Sequence, residues 1–179
     1  MSGLEGDGFR LRRAVAEDVG YIVELLGHDE VEPFLSAVRA REPEAVLAEV
    51  ERSLAESEDF GRFVIEVPQE GAWRLAGVLG FEVANRRSRI ANLGGLAVHP
   101  DHRGRRLADA AARVFQRHLL TDLGYHRLQV ECYGFNKRAI QHAERVGFVR
   151  EGVKRKAYWR HGEWVDGVLF GCLLEDLED

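Results

Sequence analysis

Apolar and basic residues alternate along Phe9-Arg-Leu-Arg-Arg-Ala-Val15, the period of a half-buried strand. From Ala16 the spacing changes to three and four, through Val19, Ile22, Val23 and Leu26, which predicts a helix ending at Gly27. Pro33 and Pro43 punctuate the next segment, and Val46, Leu47, Val50 and Leu54 recur at helical spacing over Glu44 to Leu54. Two short helices are expected here, with connecting loops that are candidates for a substrate wall. Three strand-like runs follow, Phe60 to Val67, Trp73 to Val83 and Ile90 to Val98, separated by turn-forming residues at Pro68 to Gly71 and Asn85 to Ser88. Such short connections imply an antiparallel meander.

After Val98 the pattern alternates between helix and strand. A helix over Arg105 to Leu123 closes on Gly124, a strand runs from Arg127 to Tyr133, and a helix over Lys137 to Val146 closes on Gly147. Two strands finish the chain, Phe148 to Tyr158 and Trp164 to Leu174, joined around His161-Gly162. The β-α-α-β-β-β-α-β-α-β-β order contains one βα crossover, which makes the strands at Ile90 to Val98 and Arg127 to Tyr133 parallel neighbours. The expectation is therefore one α/β domain over residues 9–179, preceded by a Gly-rich segment, residues 1–8, expected to be disordered.

Composition narrows the functional classes. A chain of 179 residues that is 45% hydrophobic can bury one sizeable core. The net charge of −5 provides no global basic field, so no nucleic-acid partner is expected, although only three of the 25 basic residues are lysine. No apolar run is long enough to span a bilayer and the first residues lack the order of a secretory signal, so the expectation is a soluble cytoplasmic protein without a membrane partner. Cys132 and Cys172 both fall in apolar strand-like runs, where a reduced thiol acts as a small hydrophobe. His99, His102, His118 and His126 share no metal-ligand spacing with cysteine or acidic partners, and no metal is expected.

The stretch from His99 to Arg113 places a strand end, a basic turn and a helix start back to back. Pro100 stops the strand, Gly104 permits close backbone approach, and the helix start presents unpaired N–H groups and the positive end of its dipole. A pyrophosphate fits such a cradle, with Arg103, Arg105 and Arg106 as charged donors; a solvated basic turn fits the same spacing. The Walker pattern and Gly-x-Gly-x-x-Gly are both absent, which argues against nucleotide hydrolysis and hydride transfer.

The run Leu96-Ala-Val-His-Pro-Asp-His-Arg-Gly-Arg-Arg-Leu-Ala108 resembles the Gln/Arg-x-x-Gly-x-Gly/Ala cofactor loop of GCN5-related N-acetyltransferases, and Asn136 to Phe148 is similar to their second signature. The ending, Arg150 to Asp166, resembles the RimJ/RimL branch, whose members acetylate protein N-termini or small amines. The resemblance implies a mixed, mostly antiparallel sheet of about seven strands, with two splayed parallel strands around acetyl-CoA as co-substrate. It also implies an amine acceptor, direct acetyl transfer and a possible homodimer. The backbone of Leu96, Ala97 and Val98 would pair with the pantetheine arm, and the Leu96 N–H would polarise the thioester carbonyl. Arg103, Gly104, Arg105, Arg106, Leu107 and Ala108 would cradle the phosphates, Gly94-Gly95 marks an expected bulge, and Asn136 would either reach the pantetheine amide or only cap its helix.

Three departures bear on chemistry. The family usually has glycine where Arg106 stands, a substitution costing about 1–2 kcal/mol if positive φ is required. Many relatives carry a tyrosine acid at the position of Ala143, and the RimJ/RimL branch often has serine at Ala139, so Tyr158 or His142 is the candidate substitute. Glu131 and Glu82 are the candidate bases, each equally readable as an exposed strand glutamate. Trp159 and Trp164 can pack across the terminal hairpin, while Asp166 ends a turn or faces the acceptor. The rival reading is an acyl-CoA-binding module without efficient turnover.

Overall fold

The computed structural model describes residues 4–35 and 42–177. Its elements are β1 (Leu4–Gly6), β2 (Phe9–Arg13), α1 (Val19–Gly27), α2 (Pro43–Ala55), β3 (Phe60–Gln69), β4 (Ala72–Asn85), β5 (Ile90–Val98), α3 (Leu107–Arg117), β6 (Arg127–Tyr133), α4 (Lys137–Arg145), β7 (Val149–Arg160) and β8 (Glu163–Cys172). The strands form one sheet in the order β1-β2-β3-β4-β5-β6-β8-β7. Among the described residues only β5 and β6 are parallel, and they pair over just three rungs, Ile90 to Asn92 against Arg127 to Gln129.

Alternation along the strands feeds two cores. On the face covered by α3, the helical stripe Ala111, Phe115 and Leu119 packs with Phe63, Phe81, Leu128 and Phe170; Phe115 meets Phe63 edge-on at 4.9 Å. The opposite face carries Ile22 and Leu25 of α1 and Val46 and Val50 of α2, packed with Val64, Val78 and Ala97. Each fully buried side chain of this size contributes about 1.5–3 kcal/mol. Just before α1, buried Asp18 receives both Arg12 guanidinium nitrogens at 2.6 and 2.9 Å and the Val15 N–H at 2.9 Å, pinning the start of that helix to β2.

The structure differs from the sequence expectation in three places. Residues 4–6, expected to be disordered, are a strand: Leu4 to Gly6 pair with Leu11 to Phe9, so the sheet has eight strands among the described residues. Asp7-Gly8, with Gly8 at φ +74°, is a two-residue hairpin turn that the Gly-rich composition disguised. Residues 1–3 lie outside the described residues. Secondly, of the two short helices expected around Pro33 and Pro43, the described residues show α2 and, at Pro33, a 3-10 turn, Glu32–Phe34; residues 36–41 lie outside the described residues. Thirdly, α3 starts at Leu107 and ends at Arg117, and one wider turn through Asp122 follows, with the Leu123 N–H bonded to the His118 carbonyl at 3.1 Å.

Candidate active site

The register between β4 and β5 shifts where the glycine pair predicted it would. Val78 faces Ala97 and Gly80 faces Gly94, so Leu79 stands opposite two residues, and Gly95 takes φ +66°. Beyond Asn92 the two parallel strands separate, and a cavity of about 630 Å³ opens between them. Leu93 to Val98 line one wall, Val130, Glu131 and Cys132 the other, and the start of α3 closes one end.

That end is built mostly from backbone. Arg106 precedes α3 with φ 54° and ψ 22°, so this arginine does hold the left-handed conformation in which glycine is at ease. The N–H groups of Leu107, Ala108 and Asp109, in the first turn, have no partner within the helix and lie where an anion is favoured. Arg103 is engaged elsewhere, since its guanidinium donates to the Val98 carbonyl at 3.3 Å, the Glu30 carboxylate at 2.5 Å and the Glu30 carbonyl at 3.3 Å. It ties the loop to the segment after α1 while lining the cavity. Arg105 does not line the cavity, whereas Arg106 does.

Helix α4 supplies the back of the cavity. Asn136 caps it, accepting the Ala139 N–H at 3.1 Å, and its amide nitrogen donates to the Phe34 carbonyl at 3.4 Å. His142 and Arg145, one turn apart, converge on Asp109 of α3: the imidazole Nδ1 lies 2.7 Å from Oδ1, and the guanidinium donates at 2.8 and 3.0 Å. The Arg145 hydrogen bond, helped by His142, holds the Asp109 carboxyl down at about 2. Burial lowers the His142 pKa in spite of Asp109, leaving a neutral ring whose Nδ1–H is assigned to Asp109 by this pairing. Burial pushes the Cys132 thiol up to about 11, so it stays protonated and is a poor nucleophile. The described residues include no group of three or more His, Cys, Asp or Glu that could hold a metal ion, and no helix long and apolar enough to cross a membrane.

The proposed proton-handling residues separate. Glu82 lies away from the cavity, exposed and ion-paired to Arg52 at 3.0 Å, because its position on β4 faces α2; this overturns its reading as a base. Tyr158 does not line the cavity either. Its hydroxyl donates to Glu131 Oε1 at 2.7 Å, while Lys154 donates to Oε2 at 2.7 Å. Of the candidate acids and bases, Glu131 and His142 border the cavity, while Glu82 and Tyr158 do not. The Glu131 bond and burial raise the Tyr158 pKa, and its proton points at that carboxylate. Trp159 and Trp164 pack edge-on at 5.3 Å but remain exposed, and Asp166 accepts the Lys156 N–H at 2.7 Å across a bulge in β7.

Leu96, Ala97, Val98, Arg103, Gly104, Arg106, Leu107, Ala108, Asn136 and Glu131 thus come together around one cavity. Sequence reasoning missed Asp109, Arg138 and Arg145, which also line it. The signal was available: Arg138, His142 and Arg145 repeat at helical spacing on α4.

The family model described as acetyltransferase (GNAT) domain matches residues 9–149. The SPbeta prophage-derived uncharacterized N-acetyltransferase YokL of Bacillus subtilis (strain 168) is 32% identical over 83 residues, 46% of this chain and 47% of that protein. The match therefore spans about half the length of this curated relative. The crystal structure of spermidine N-acetyltransferase from Vibrio cholerae in complex with CoA and spermine is similar in fold, with a TM-score of 0.85 and 19% identity over 97% of this chain and 100% of that one. Ribosomal-protein-S5-alanine acetyltransferase from Vibrio fischeri gives a TM-score of 0.82 at 16% identity, covering 100% of both chains.

Proposed function

Because the chain belongs to the acetyltransferase (GNAT) domain family, we propose that it transfers acetyl from acetyl-CoA directly to a primary amine. The carrying observation is the cavity between β5 and β6, which joins an unpaired helix N-terminus at one end to the open backbone of Leu93 to Val98. Such a cleft suits a ligand with a pyrophosphate at one end and a linear amide-bearing arm along the other. The first turn of α3 and Arg106 hold the phosphates, the β5 backbone pairs with the arm, and the Leu96 N–H stabilises the oxyanion as the amine adds to the thioester. A C–N bond forms and the C–S bond breaks, and the proton lost by the amine balances the thiolate that leaves. Transfer is direct, since Cys132, the thiol at the cavity wall, is held protonated.

The net charge of −5 and the Glu131 carboxylate at the cavity wall support a cationic acceptor, set against Arg103, Arg106, Arg138 and Arg145 in the same lining. The hairpin of β7 and β8 supports placement near the RimJ/RimL branch, and the exposed Trp159 and Trp164 offer a surface for a homodimer. Acetyl-CoA should raise the melting temperature, and thiol release should appear on adding one member of a panel of peptides with free N-termini, monoamines and polyamines. Tight acetyl-CoA binding without thiol release from any of them would favour the binding-module reading, which the absence of a hydroxyl acid at Ala139 and Ala143 permits.

A further inference from the structure

One carboxylate at the cavity already holds an ammonium ion. Glu131 borders the cavity, yet its two oxygens are taken by Lys154 Nζ and the Tyr158 hydroxyl, each at 2.7 Å. Glu131 lines the cavity, but its carboxylate leans away from β5, towards β8. It lies over β8, where a Cβ on Gly167 would overlap Oε1 and come within 2.8 Å of the Tyr158 ring; the missing side chain makes this position possible.

The placement decides between two roles. A general base must stand within about 3 Å of the amine it deprotonates, or one water further. Neighbouring strands are spaced at about 4.8 Å, so a group over β8 is laterally about 10 Å or more from Leu96 on β5, given that β5 and β6 splay. An amine attacking a thioester held at Leu96 is thus separated from Glu131 by several ångströms. That gap matches a short methylene chain linking two amino groups, with apolar surface for the chain from Phe34 and Leu35 at the cavity wall.

We propose that Glu131 is the anchor for a second ammonium group of the acceptor, that the acceptor is a diamine or polyamine, and that Lys154 is the resting occupant of this subsite. The inference rests on the acetyltransferase reading above. Lys154 is half exposed on the edge strand β7 and is free to swing into solvent, so exchange of its ammonium for the acceptor's leaves the local charge balanced. Tyr158 keeps the carboxylate in place through the exchange.

The test compares n-butylamine with 1,4-diaminobutane in steady-state turnover of acetyl-CoA by the wild type, Glu131→Gln and Lys154→Met. Glu131→Gln is expected to raise KM for the diamine at least tenfold more than for the monoamine. Lys154→Met is expected to lower the diamine KM several-fold, because the competing cation is gone. An equal fall of kcat for both amines in Glu131→Gln would overturn the anchor and make Glu131 a proton acceptor at the reacting nitrogen; an unchanged diamine preference would overturn it too. If the wild type releases no thiol with any amine, the acetyltransferase reading fails separately. Calorimetric titration of 1,4-diaminobutane into the CoA-saturated protein then tests the anchor alone: tenfold weaker binding by Glu131→Gln supports it, and equal or absent binding overturns it.

Discussion

The two ends of the cavity are made differently. At the α3 end the groups proposed to meet the ligand are mostly peptide N–H groups, set in place by a bulge at Gly95 and a left-handed turn at Arg106, all within one stretch of chain. On the side of α4 and β6 the cavity-lining groups are side chains held by partners across long separations: Asp109 with His142 over 33 residues, and Glu131 with Lys154 over 23 and with Tyr158 over 27. A backbone site depends on the path of the chain and tolerates what the side chains are. A side-chain site depends on partners that only the folded molecule assembles, and one substitution can redirect it.

The contrast is broken most directly by giving the backbone end the wrong charge. Ala108→Asp places a carboxylate in the first turn of α3, among the N–H groups assigned to phosphate. An aspartate there suits the helix dipole, so stability should be unchanged or higher by a few tenths of a kcal/mol. A like charge about 4 Å from a phosphate is worth roughly 3–4 kcal/mol, so acetyl-CoA affinity should fall at least 100-fold. Calorimetric titration beside a thermal melt separates the two effects. Unchanged affinity would mean that the pyrophosphate does not sit on this turn.

The same contrast explains what the sequence reveals. Strand and helix periodicity marked nearly every element, because each has one buried face, and the crossover rule made β5 and β6 parallel neighbours. The turn from Pro100 into α3 was legible because Pro100, Gly104 and the helix start are contiguous, so local chemistry predicts local shape. Glu82 could not be placed from the sequence because its partner, Arg52 of α2, reaches it only in the fold. Tyr158 stands outside the cavity lining with its hydroxyl on Glu131, a contact across 27 residues that strand periodicity does not signal. Asp7-Gly8 was a turn signal within a stretch judged by its composition.

A smaller change sharpens the claim that side chains matter less at the backbone end. Arg106→Gly relieves a left-handed arginine and should stabilise the fold by about 1 kcal/mol, or roughly 2–4 °C in melting temperature for a domain of this size. Its N–H donor survives, so acetyl-CoA affinity should drop only several-fold, through loss of the guanidinium at the cavity wall. A drop as large as that of Ala108→Asp would make Arg106 a principal phosphate clamp and erase the distinction between the two ends.

The smallest effect belongs to the side-chain end and is read from acid unfolding. Asp109 has its pKa lowered from 3.8 to about 2, first by Arg145 and then by His142, so its stabilising contribution is full above 3.8 and is lost as pH falls toward 2. His142 is lowered from 6.5 by burial; the unfolded chain binds that proton more readily, so stability also declines as pH drops below 6.5. Asp109→Asn removes the first step outright. It also removes the carboxylate that partly supports the charged imidazole, so the His142 pKa should fall further and the decline below 6.5 should steepen. Urea unfolding of both proteins across pH 2.5 to 7.5 should therefore give curves that cross in slope, the variant flatter below about pH 4 and steeper near pH 6. Parallel curves would show that the Asp109, His142 and Arg145 contacts, although short, are not maintained in solution.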